Sequence, residues 1–171
     1  MDLPSYYITT PIYYVNDVPH IGHAYTTLAC DAMARFKRLD GYQVLFLTGT
    51  DEHGQKVETA ANDRGLAPQE FTDQVSQNFR DLLPILNVSN DDFIRTTEKR
   101  HRVSAQTIWQ KLMNNGHIYL DKYSGWYSLR DETYFTETEL IDGNAPTGAP
   151  VEWVEEESYF LMINTPLTIT K

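Results

Sequence analysis

Apolar residues change their period several times along this chain, and each change marks an element. Tyr6-Tyr7-Ile8-Thr9 is aromatic and β-branched and reads as a strand; Leu28, Ala32, Phe36 and Leu39 then recur at helical spacing until Gly41 supplies a stop. Gln43-Val44-Leu45-Phe46-Leu47-Thr48 is an apolar run of strand length, the pattern of a strand buried on both faces of a parallel sheet. A helix spans Gln55 to Arg64 and stops at Gly65. Pro68 opens another whose Phe71, Val75, Phe79, Leu82 and Leu83 form a core face, interrupted at Pro84 and the loop Asn87 to Asp92. Phe93-Ile94-Arg95 reads as a short strand, and Val103, Ile108, Trp109, Leu112 and Met113 as a helix ending at Gly116. Beyond it the texture is β-like: Ile118-Tyr119-Leu120, Gly125 to Leu129 and Thr133 to Thr136 are short and aromatic-rich, and Asp142-Gly143 with Asn144 to Pro150 forms a loop.

Strand, helix, strand at the start is a βαβ unit, whose crossover is right-handed. It brings two strand ends side by side, the loop carrying His20-Ile21-Gly22-His23 and the loop Gly49 to Gly54. Ligands of open α/β sheets bind in the crevice beyond such ends. A helix start presents unpaired N–H groups and attracts anions, and imidazoles three residues apart add donors that converge on one phosphate, their charge following the negative charge that develops there. Gly22 lets a flat base or ribose approach the backbone. The same residues also read as a plain surface helix cap. Asp51 and Glu52 point toward the same crevice, where a carboxylate would hold an ammonium group, or Asp51 caps the helix that begins at Gln55.

Composition narrows the classes. The 171 residues are 41% hydrophobic and 12% aromatic, enough for a packed core in one domain or slightly more, so disorder is excluded as the default. A net charge of -10 repels RNA in general, so any nucleic-acid contact is local. The basic run Lys99-Arg100-His101-Arg102 fits a solvated helix face better than such a contact. Cys30 is the only cysteine, expected as a small buried filler in a reduced, cytoplasmic setting. Met1-Asp2-Leu3-Pro4 does not open a signal peptide, and no stretch is apolar enough to cross a bilayer.

Thr10-Pro11-Ile12-Tyr13-Tyr14-Val15-Asn16, followed by Pro19 to Thr26, resembles the signature segment of the methionyl-tRNA synthetases, a class I aminoacyl-tRNA synthetase family. Leu47 to Lys56 and Phe93-Ile94-Arg95-Thr96-Thr97 resemble two further segments of that family in the same order. The isoleucine, valine and leucine enzymes share the His-Ile-Gly-His type, but Tyr13-Tyr14-Val15-Asn16 with Gly49-Thr50-Asp51-Glu52-His53-Gly54 points to methionine.

The resemblance implies an α/β fold: residues 1–116 as the first half of a Rossmann-like parallel-sheet catalytic domain, 117–160 as the start of a β-rich connective-peptide insertion, and 161–171 as a divergent tail. It implies ATP-dependent activation of methionine to methionyl-adenylate, with magnesium assisting, and transfer to tRNA(Met). His20 and His23 would be catalytic and bind ATP together with Gly22; Pro11, Ile12, Tyr14 and Asp51 would bind methionine, and Asn16 would shape the signature loop. Ser128 and Asp131 stand where the family often has a cysteine pair, so no zinc is expected. A Lys-Met-Ser-Lys-Ser-like loop is missing from these residues, so the chain is expected to be inactive alone, with apolar surface and a sheet edge left open, and to be a monomer if intact. Two alternatives remain, a non-catalytic nucleotide- or amino-acid-binding fragment and a nucleotidyltransferase with the same His-x-Gly-His start.

Overall fold

The apolar run after Gly41 becomes strand β3 (Gln43–Asp51), and β1 (Ser5–Thr9), β2 (Tyr13–Tyr14) and β4 (Asp92–Arg95) all pair with it in parallel. The architecture is that of a computed structural model, which describes residues 3–162. The carbonyls of Leu47 and Asp51 accept from the N–H groups of Thr10 and Val15, while those of Phe46 and Thr50 accept from Asp91 and Thr96. Carbonyls alternate between the edges of a strand, so β1 and β2 follow one another along one edge of β3 and β4 takes the other. The fold is the mixed α/β arrangement on a parallel sheet that the alternation of strand and helix implies.

Helix α1 (Ile21–Leu39) forms where predicted, but the stripe that reveals it is not the face it buries. Thr27, Asp31 and Ala34 are buried, whereas Phe36 is 57% and Leu39 89% exposed. Polar anchors set this rotation: Asp31 Oδ1 accepts from the Ser89 backbone and hydroxyl at 2.7 and 2.6 Å, and Thr27 shares a hydrogen bond with the Tyr13 hydroxyl at 2.7 Å. A similar correction applies to β3. Phe46, Thr48 and Thr50 are buried, but Leu45 is 50% exposed and its pairing partner Tyr7 57%, so the first half of the strand is covered on one face and not on both. Alternate residues face opposite sides of a sheet, and Thr50, which bonds Ser76, belongs to the side lined by a helix. Cys30 is half-buried, not buried, with its thiol near the Thr9 carbonyl.

Helices α2 (Gln55–Asp63) and α3 (Pro68–Ile85) close the core, in which Phe71, Val75 and Phe79 meet Val57, Ala61, Tyr13, Val15 and Phe93. Each fully buried side chain of this size stabilises by about 1.5–3 kcal/mol. Pro84 does not end α3; it sits in the last turn, one residue inside the helix. In helix α4 (Lys99–Asn114), the basic run is partly committed. Arg100 bonds the Asp92 and Glu98 carboxylates and the Phe93 carbonyl, and the carboxylates raise its pKa.

The chain divides inside α4 into two compact units, Met1–Ala105 and Gln106–Lys171, where the sequence reading places the boundary at 116/117. In the second unit β5 (Ile118–Ser128) is one unbroken strand, not two short ones. It pairs antiparallel with β6 (Thr133–Phe135) and with β7 (Glu152–Leu161). The glutamates Glu152, Glu155, Glu156 and Glu157 break the alternation of β7 and hide it in the sequence; cross-strand aromatic pairs such as Trp126 with Trp153 hold it to β5. Leu161, the first residue of the expected tail, pairs with Ile118 and ends this strand. Residues 163–171 of the expected tail lie outside the described residues.

Candidate active site

The strand-to-helix handover at His20 is built by the histidines themselves. His20 is the N-cap of α1, with extended backbone at φ −127° and ψ 177°. Its Nδ1 accepts from the Gly22 N–H at 3.1 Å, and His23 Nδ1 accepts from the His20 N–H at 3.1 Å. This is a reciprocal capping box made with imidazoles, so the plain helix-cap reading is part of the structure. Gly22 lies close to its neighbour: a Cβ there would lie 2.9 Å from His20 Cε1, so the ring would have to shift. The two imidazoles stack with centroids 3.9 Å apart, and the His23 ring also meets Tyr13 at 4.8 Å and Phe79 at 5.1 Å.

Burial, and secondarily the neighbouring His20, hold the His23 pKa below its ordinary value of 6.5. Folding therefore favours the neutral ring. The stabilisation is full above the unfolded value and is lost as the pH falls through the lowered folded value. The melting temperature of the chain is expected to drop by a few degrees between about pH 7 and pH 5. His23→Gln keeps an acceptor at this capping position and should flatten the drop; an equal drop in that variant would show that another group carries it.

The two acidic residues at the end of β3 take different roles. Glu52 is buried, and its carboxylate is consumed: Thr50 Oγ1 donates to it at 2.8 Å, Arg95 Nε at 2.7 Å, and the Thr97 hydroxyl completes the set. It does not point into the crevice, contrary to expectation, because an internal carboxylate requires paired donors. Arg95 is the partner that the sequence reading missed; it lies forty-three positions further on, and nothing beside Glu52 marks it. Asp51 pairs with Tyr14 across the sheet, and its carboxylate has no hydrogen bond or ion pair among the described residues. It does not cap α2, whose N-cap is Gly54 without any side-chain cap. Gly54 has a φ of 115°, and a Cβ there would lie 2.3 Å from the Tyr14 hydroxyl.

The other sequence-derived candidates sit along the same loop. Pro11, Asn16 and Ile12 are exposed, and Tyr14 is half-buried against the core. Asp17, next to Asn16, accepts from the Val18 N–H at 2.8 Å and faces Arg64 at 3.6 Å. Tyr13 ties the parts together. It pairs with Thr50 one position before Tyr14 and Asp51, and its hydroxyl meets Thr27 and the His23 carbonyl. His20, Gly22, His23, Tyr14 and Asp51 thus share one contiguous end of the sheet, while His53 is exposed.

Residues 6–156 match the family described as tRNA synthetases class I (M). The chain belongs to the methionyl-tRNA synthetase family. It is 63% identical over 161 residues to a methionine--tRNA ligase of Rickettsia felis, covering 94% of this chain and 31% of that protein. With the ligase of Listeria monocytogenes the identity is 53%, over 94% of this chain and 26% of that one. The chain thus spans about a third or less of the length of these curated relatives. Among solved structures, the Mycobacterium tuberculosis methionyl-tRNA synthetase in complex with methionyl-adenylate superimposes with a TM-score of 0.84 and 49% identity, over 93% of this chain and 32% of the other.

Where the family resemblance places a cysteine pair, the second unit has a hydrogen-bonded knot. The buried Ser128 donates to Asp131 Oδ2 at 3.1 Å, the Thr147 hydroxyl donates to the same oxygen, and Arg130 donates to the Thr147 carbonyl at 2.8 Å. The Thr147 bond, ahead of the others, holds the Asp131 carboxyl below its usual range. Among the described residues no group of three or more His, Cys, Asp or Glu side chains converges as a metal site, and no helix is long and apolar enough to cross a membrane.

Proposed function

We propose that this chain carries the ATP- and methionine-binding half-site of methionine–tRNA ligation, the reaction in which the methionine carboxylate attacks the α-phosphate of ATP and the methionyl group then passes to tRNA(Met). The observation that carries this reading is the uncommitted Asp51 carboxylate, one sheet position from Tyr13, which packs on His23. Asp51 holds the methionine ammonium, and Pro11, Ile12 and Tyr14 line the side-chain pocket, whose apolar walls suit an unbranched thioether. His20 and His23 act on the ATP phosphates, Gly22 admits the adenosine, and Asn16 shapes the loop. These groups position the carboxylate and stabilise charge at the α-phosphate, which is most of what the first step requires. Magnesium, when bound with ATP, neutralises phosphate charge; the donor set fits an ion held by the phosphates, since no protein cage converges there among the described residues. The methionyl-adenylate named for the M. tuberculosis structure supports this reading. The Ser128–Asp131 knot supports a second unit that folds without zinc, and the protein is proposed to be cytoplasmic and, if intact, a monomer.

The test is calorimetric titration of the 171-residue chain with ATP and with methionine, beside pyrophosphate exchange into ATP. Both ligands are expected to bind, methionine in preference to leucine, and His23→Ala to weaken ATP about tenfold. Exchange is expected to be absent from the isolated chain. Equal affinity for leucine, or none for methionine, would overturn the assignment.

A further inference from the structure

Both imidazoles are committed at one nitrogen before any ligand arrives. His20 Nδ1 and His23 Nδ1 each accept from a backbone N–H, the geometry of a ring whose proton sits on Nε2. Protonating either Nδ1 would set a donor against a donor and release N–H groups of the first turn of α1. A second charge is also unfavourable because the ring centroids are 3.9 Å apart. The surroundings give an imidazolium no partner. Tyr13 reaches His23 from β2 with its hydroxyl engaged by Thr27; α3 contributes the apolar edge of Phe79; and no carboxylate bonds either histidine among the described residues.

We propose that His20 and His23 meet the phosphates as neutral Nε2–H donors, not as imidazolium cations, and that Phe79 is the positioning residue that holds the His23 ring for this role. The proposal rests on the ATP reading above. Phe79 is 2% exposed and stacks on Tyr13 at 5.6 Å with 19° between the ring planes. It packs in the same core as Phe71 and Val75, and its ring meets that of His23 at 69°. The orientation of a surface imidazole is thereby dictated by the core through α3. Donation from Nε2–H also removes the need for a charge to appear at the site: the donors are in place in the ground state and strengthen as the phosphate oxygens gain charge.

Nitrogen NMR of the 15N-histidine-labelled chain, free and with ATP, tests this directly. For both residues the expected pattern is an unprotonated Nδ1 and a protonated Nε2, retained in the ATP complex. In Phe79→Leu the His23 pattern should become a mixture of tautomers and ATP affinity should fall about fivefold. Phe71→Leu, in the same helix and core but without contact to His23, controls for general loosening and should leave the pattern unchanged. An imidazolium or an Nδ1–H tautomer in the ATP complex would overturn the inference, as would an equal effect of Phe71→Leu. Failure of the wild-type chain to bind ATP while showing the neutral pattern would instead sink the ATP reading, and the phosphate role with it.

Discussion

Replacing Arg95 with alanine is expected to remove about 3–5 kcal/mol from the first unit, a large share of the stability of a small domain. Glu52 has a fully buried side chain, and Arg95 beside it is 17% exposed, with their atoms 2.7 Å apart. The same guanidinium reaches Asp73 on α3, so it joins the end of β3 to both β4 and the helix that covers the sheet. Those bonds, the one to Glu52 first, raise the Arg95 pKa, and the bond from Arg95 holds the Asp73 carboxyl below its usual range. A buried pair contributes little net stability over an apolar replacement, but removing one partner strands the other charge without solvent. The size of the effect is therefore the penalty of an orphaned Glu52, and Glu52→Gln in the Arg95→Ala background should recover part of it, because the amide needs no cation. Urea unfolding of the wild-type chain, Arg95→Ala and the double variant measures this. A loss under about 1 kcal/mol for Arg95→Ala, on the scale of an ordinary exposed ion pair, would show that the pair is not buried as described.

Asp51→Asn is expected to do the reverse, leaving stability unchanged and lowering methionine affinity by roughly 30- to 150-fold, the equivalent of about 2–3 kcal/mol for a charge-assisted bond to an ammonium. The adjacent acids make a controlled comparison, since they share a strand end and a carboxylate but not an environment. Glu52 is saturated by the protein, whereas the Asp51 carboxylate bonds nothing among the described residues, so its substitution removes no side-chain bond. Because asparagine preserves shape, an unchanged thermal midpoint with weakened methionine binding assigns the loss to charge. A fall in midpoint with affinity intact would mean that Asp51 serves the fold and that the ammonium is held elsewhere.

Exposed apolar residues bear on handling of the chain. Ile21, Tyr25, Phe36 and Leu39 on α1 are 88, 76, 57 and 89% exposed, with Tyr7 and Leu45 half-exposed on the sheet. This agrees with the open apolar surface expected from the sequence, and such surface favours association.

The local signals of this chain are strong enough to be read without the structure. Gly41, Gly65 and Gly116 end helices near the expected places and take left-handed φ values of 83°, 66° and 72°, because a helix exit at positive φ is a property of the residue itself. The handover from β1 to α1, the parallel pairing of β3 and the placement of His20, Gly22, His23 and Asp51 at one sheet end follow from the same local periodicities and from the right-handed crossover. Tertiary structure decided which face each element buries and which of two like residues is free. The Leu28, Phe36 and Leu39 stripe is helical in period, yet Asp31 and Thr27 turn α1 the other way, because long-range hydrogen bonds to Ser89 and Tyr13 outweigh the stripe. Glu52 and Asp51 are alike in the sequence, and only the arrival of Arg95, forty-three positions later, separates structural acid from candidate ligand. In the same way β7 forms despite its glutamates because β5 supplies partners across a register of ten pairs. Local period and turn chemistry are written in neighbouring residues, whereas burial and charge pairing depend on groups that meet only after the chain has folded.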